Sequence, residues 1–180
     1  MIYRIMRLIG LRKYTMKKIL CFIIIVCLFF SCKNNDIPDV SNIKVDLKVQ
    51  RFEKDFFAID TNNILNELQR LRIKYPTFIT DFTNQILGFD NTTPPDSLTK
   101  YIHLFIRDYR FVKDSVDKLF ANFDPQLKEI KKGLQFVKYY FPDYKAPHQV
   151  ITFIGPFDGY SDVITSDAFA VGLQLHMGSN

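Results

Sequence analysis

Cys32 is the residue whose neighbours spell out a reaction. It closes the run Leu28-Phe29-Phe30-Ser31-Cys32-Lys33, in which a small side chain precedes a cysteine at the end of an apolar stretch. That is the arrangement of a bacterial lipobox. The small residue fits a signal peptidase, and the thiol receives a diacylglyceryl group before cleavage. Two or three acyl chains then hold a protein to a membrane where one chain would not. Phe29 and Phe30 are bulkier than the commonest residues at their positions. The alternative, an ordinary cleaved signal with a chance cysteine, is disfavoured because Cys21, Cys27 and Cys32 are all the cysteines there are. With none after Cys32, the mature domain forms no internal disulfide and runs no thiol catalysis.

Other reactive side chains are dispersed. The histidines stand far apart at 103, 148 and 176, with no His-Glu-x-x-His helix. His103 lies in an apolar helical stripe, where a packed or partly exposed histidine is the plain reading; His148 follows a proline in a loop, and His176 ends a strand. A metal site joining His148, His176 and an aspartate on adjacent strands is conceivable but disfavoured. Asp158, Ser161, Asp162, Ser166 and Asp167 form the densest polar cluster near the strands. They lack calcium-loop spacing, so solvated turns are expected in preference to a cation or ammonium site. Tyr139-Tyr140-Phe141-Pro142-Asp143-Tyr144 could face a sugar or peptide, although the buried end of a helix packed on a sheet is the favoured reading. Gly-x-Ser-x-Gly and glycine-rich phosphate loops are missing. No catalytic residue, metal ligand or cofactor is therefore expected in this chain.

Charge separates the chain into two parts. Over 180 residues, 24 Lys and Arg face 19 Asp and Glu, a formal +5. Residues 1–31 hold six of the basic residues and no acidic one, which leaves 18 against 19 from Cys32 onward. The excess belongs to the leader, so the folded part has no nucleic-acid footprint. Lys17-Lys18 followed by twelve apolar residues, 19–30, form the n-region and h-region of a signal peptide spanning 1–31. A twelve-residue helix rises only about 18 Å, short of the roughly 30 Å hydrocarbon core. Met16 is an alternative initiator, because Met16-Lys17-Lys18 is already a complete n-region.

The elements that must hold these residues follow from periodicity. Residues 32–42 are polar and read as a lipid-anchored tether. Its Lys33-Asn34-Asn35-Asp36 start does not discriminate between the two membranes of an envelope. Ile43 to Val49 alternates apolar and charged residues, the period of a strand with one wet face. Arg51 to Phe57 is aromatic-rich and of unclear type. A helical middle is predicted over about 60–141. Its stripes are Ile64, Leu65, Leu68 and Leu71; Phe78, Ile79, Phe82, Ile86 and Leu87 before Gly88; Leu98 to Phe120; and Leu127 to Phe141 behind the start signal Asp124-Pro125. Asp60 or Thr61 is the expected N-cap of the first. Strands follow over about 149–175: Gln149 to Ile154, Val163 to Thr165, and Ala168 to Leu175, the last two joined at Ser166-Asp167. The order predicts one α+β domain over 43–180.

On these residues the chain resembles the gliding-motility lipoprotein GldB family of Bacteroidetes. The likeness rests on the lipobox, the helical middle, the tyrosine-rich helix end, Val150-Ile151-Thr152-Phe153-Ile154, and Ala170-Val171-Gly172-Leu173-Gln174-Leu175-His176-Met177-Gly178. It covers essentially the whole mature chain and includes no catalytic motif. The resemblance implies a lipid-anchored component of the gliding and type IX secretion machinery, held in the cell envelope through Cys32. It would be non-enzymatic and act through protein contacts, with no nucleic acid as partner. Many members look longer, which implies a C-terminally truncated form here. The family also looks distantly like zinc metallopeptidases (a zincin-like fold), whose metal-binding helix would fall beyond Asn180. That leaves two alternatives: a hydrolase with its catalytic part missing here, or an envelope binding module for glycan or peptide.

Overall fold

A computed structural model describes residues 37–90, 92–165 and 168–178. Cys32, the leader, Ser166 and Asp167 lie outside the described residues. The chain divides into two compact units, Met1–Asp39 and Val40–Asn180; the fold is that of the second.

The alternation over 43–49 persists as a pattern of burial, with Val45 buried and Lys44, Asp46 and Lys48 exposed. The strand itself, β1 (Lys48–Arg51), begins only where a partner exists: Lys48 aligns with Gln149 of β2 (Gln149–Phe153), and the two run parallel. The aromatic segment behind it is a helix, α1 (Phe52–Phe57), which buries Phe52, Phe56 and Phe57. α2 (Ile64–Lys74) starts later than its expected cap, because Asp60 spends its carboxylate on a local turn, accepting from the Asn62 amide at 2.9 Å. Ile64, Leu68 and Leu71 are buried as the stripe requires, whereas Leu65 faces out.

After Pro76, α3 (Phe78–Asp81) passes into a π-helical turn, Phe82–Ile86. Gly88 closes it at φ +76°, a conformation that costs a residue with a Cβ about 1–2 kcal/mol. α4 (Pro95–Asp108), α5 (Arg110–Leu119) and α6 (Asp124–Tyr140) complete the helical middle. The hairpin that follows, β3 (Asp162–Ile164) and β4 (Ala168–Gly172), is antiparallel, and β4 pairs in parallel with β2. The expected continuation of the last strand fails: Leu173–Leu175 is a 3₁₀ turn. The result is a mixed α+β domain, with six α-helices among the described residues and a sheet ordered β1-β2-β4-β3.

Strand register sorts the sheet into two faces, since partners aligned across the ladder point the same way. Ile151, Phe153, Ala170 and Gly172 share one face. Here Phe153 meets Phe78 and Phe82, with ring centroids 5.9 and 6.3 Å apart. Phe52 sits at the centre of this cluster, edge-on to Tyr75, Phe78 and Phe82 at 4.7–5.1 Å. Such pairs contribute about 0.5–1.5 kcal/mol each beyond burial, so a chain with no Trp builds its core largely from edge-to-face aromatic rings.

The other face carries Val49, Arg51, Val150, Thr152, Phe169 and Val171. α6 lies over it, running opposite to β1: Phe123, just before α6, meets Arg51 at the end of β1, while Gln135 reaches Ile43 ahead of the strand. Leu127 and Ile130 are only partly buried, and no residue of α6 is fully buried. That helix therefore covers its face loosely.

Candidate functional site

Two features occupy the end of the sheet where the parallel strands finish. The first is a buried polar pin. Glu53 is fully buried in the first turn of α1. Arg51 Nε donates to its Oε1 at 2.6 Å, and the Thr152 hydroxyl donates to Oε2 at 2.5 Å. Arg51 Nη1 also donates to the Phe120 carbonyl at 2.9 Å, and the guanidinium lies 5.7 Å above the Phe123 ring. One carboxylate thereby ties the ends of β1 and β2 to the turn between α5 and α6. Burial pushes the Glu53 carboxyl above its ordinary range, and the Thr152 hydrogen bond and Arg51 charge offset this only in part.

The second is an apolar groove of about 600 Å³ between the start of α6 and the loosely covered sheet face. Phe120, Phe123 and Ile130 line one wall and Phe169, Val171 and Leu173 the other. At its rim, His176 Nε2 lies 3.2 Å from Asp162 Oδ1, both partly exposed. The Ser161 hydroxyl is directed at Asp162, 3.4 Å away, and not at His176. No chain from nucleophile to base to orienting acid forms there.

Gly172 sets the shape of this end. Its amide donates to the Ser161 carbonyl at 2.5 Å, and a Cβ would stand 2.7 Å from that oxygen and 2.9 Å from the Tyr160 carbonyl. Only a residue without a side chain lets the 160–161 segment lie against β4. Beyond it Gln174 is buried, and neither amide atom has a hydrogen-bond partner among the described residues.

The residues singled out by type fall as follows. His148 precedes β2 and His176 follows β4, so the parallel pairing sets them at opposite ends of the sheet. His103 is exposed on α4 in a shallow depression with Thr61, Asp96 and Lys100. Asp158 sits in the turn after Pro156, apart from the His176–Asp162 pair. The tyrosine-rich helix end is corrected: instead of packing on the sheet, Tyr139, Tyr140 and Phe141 are 49, 60 and 65% exposed. Among the described residues, the last turn of α6 lies beside the segment ahead of β1, where Lys138 Nζ donates to the Lys44 carbonyl at 3.4 Å, and that segment leaves these rings uncovered. The Glu53 pin was invisible in the sequence because Thr152 stands 99 residues away from it. The groove was equally hidden, since strand and helix periodicity both assign its walls to a core.

Among the described residues, no group of three His, Cys, Asp or Glu side chains is placed to hold a metal ion. No helix among them is long and apolar enough to cross a membrane. Together these features define a mixed α+β domain with an apolar groove at the end of its sheet. The chain belongs to the family of the gliding motility protein GldB, whose family model matches residues 33–180, and it is therefore a protein of gliding motility. No curated protein and no solved structure was found to be similar to it.

Proposed function

We propose that this protein is a non-enzymatic component of the gliding motility machinery, anchored in the cell envelope by lipid on Cys32 and acting through protein contacts. The observation that carries the reading is the family match, which begins at Lys33, one residue after the lipobox cysteine. Two further features support it. The polar constellation of the domain, Arg51–Glu53–Thr152, is committed to tying three segments together, which is a structural task. The groove beside it is lined mainly by apolar side chains, which suit the apolar side chains of a partner and offer little to a polar transition state.

Cells carrying Cys32→Ala should lose acyl labelling of this chain, release it from the membrane fraction and fail to spread on agar. Acyl labelling that persists unchanged in Cys32→Ala would refute the anchoring part. Normal spreading and adhesin export in a strain lacking the whole protein would refute the motility part.

A further inference from the structure

We propose that the aromatic end of α6, Tyr139 to Tyr144, is a membrane-docking surface that lays one end of the domain on the lipid bilayer. The proposal rests on the anchoring of Cys32 proposed above and adds to it a defined orientation. Three independent observations converge on this end of the molecule.

The first is exposure. Tyr139, Tyr140, Phe141 and Tyr144 lie within six residues and are each exposed by more than a third, Phe141 by 65%. Contiguous exposed aromatics mark an interaction surface. Tyrosine in particular suits the headgroup level of a bilayer, where its ring is apolar and its hydroxyl stays wet. Tyr139 and Tyr140 stand edge to face at 5.0 Å, so the rings form one patch.

The second is charge. From Lys131 to Lys145 four lysines face only Asp143, although the chain from Cys32 onward carries one more acidic than basic residue. Lys131, Lys132 and Lys145 are exposed. Each lysine near an anionic surface is worth roughly fivefold in partition. Aromatic residues beside lysines on one helix end match a lipid surface better than they match a sugar, which would not call for the positive charge.

The third is where the chain enters the domain. Among the described residues the first buried one is Val40, and the segment behind it runs along the last turns of α6: Gln135 Nε2 donates to the Ile43 carbonyl at 2.8 Å and Lys138 Nζ to that of Lys44 at 3.4 Å. Cys32 is eight residues before Val40 and, even fully extended, reaches at most about 29 Å from it. Lipid on Cys32 is thus held within about 29 Å of Val40, a reach that allows the bilayer to meet the aromatic end. So short a tether gives a high effective concentration, so a weak patch suffices. The groove and the Glu53 pin lie at the opposite end of the strands and would face away from the bilayer.

The chain contains no Trp, which makes a single introduced one an unambiguous reporter. Tyr140→Trp and, as a reference at the other end of β2, Phe157→Trp would be made in the full acylated chain. Each is reconstituted into vesicles of phosphatidylethanolamine and phosphatidylglycerol with brominated acyl chains. Docking predicts loss of most of the emission at position 140 and little loss at 157. Equal quenching at the two positions, or none at 140, overturns the proposal. Tyr139→Trp repeats the test should Tyr140→Trp disturb the fold. Acyl labelling of the same preparations reports the anchor separately. Labelled chain without quenching at 140 refutes docking alone, and unlabelled chain refutes the anchor whatever the quenching shows.

Discussion

Replacing Glu53 with alanine removes the anion around which three segments of the domain close. Arg51 keeps the Phe120 carbonyl and the Phe123 ring but loses the acceptor of its Nε, and Thr152 loses the acceptor of its hydroxyl. Breaking a buried pair by deleting one partner costs about 3–5 kcal/mol, because the other charge stays behind. The Arg51 side chain is 17% exposed, so water relieves part of the loss, and a cost of about 3 kcal/mol is expected. In urea this lowers the unfolding midpoint by roughly 1–2 M with an unchanged slope.

The pH dependence supplies a second reading of the same group. Burial raises the Glu53 carboxyl in the folded chain above its ordinary 4.5, so the folded state holds that proton more tightly than the unfolded one. Its contribution is fully present below the unfolded value and is lost as pH rises through the folded value. Wild-type stability should therefore fall across that window, and Glu53→Gln should remove the fall. A cost of Glu53→Ala below about 1 kcal/mol would show that the pin does not hold the segments. A wild-type profile parallel to that of Glu53→Gln above pH 4.5 would show that burial does not govern the carboxyl.

Four further outcomes are expected. Thr152→Val, which keeps shape and removes the donor to Glu53, should cost about 1–3 kcal/mol in the same assay, and much less when added to Glu53→Ala. Gly172→Ala drives a methyl into two backbone carbonyls and should destabilise by about 1–3 kcal/mol, read as a lowered Tm. Phe82→Ala, at the meeting of Phe52, Phe56 and Phe153, should cost about 3–5 kcal/mol. Burial alone would raise the Asp55 carboxyl, but hydrogen bonds from Lys74 and Tyr75 outweigh it and hold it below the ordinary 3.8. Its stabilisation is present above that value and lost as pH falls through the lower folded one, so acid unfolding curves of Tyr75→Phe and wild type should converge there.

Local signals in this chain decided what depends on a few consecutive residues. The alternation over 43–49, the buried stripe Ile64–Leu68–Leu71, the glycine at 88 and the hairpin residues after 161 each follow from side-chain period or backbone freedom, and each appears in the fold. So does the α+β order, because helix and strand periods are read within a dozen residues. The family, too, was legible, since its residues recur in linear runs. Tertiary structure decided the rest, through contacts between residues far apart in the chain. The start of β1 waits for a partner 101 residues later, and the Glu53 carboxylate waits for Thr152. The fate of Tyr139 and Phe141 shows the same limit from the other side. Their composition reads as core, yet among the described residues nothing covers them. Hydrophobic type sets the tendency to be buried; only the arrangement of distant elements determines whether there is anything to be buried against.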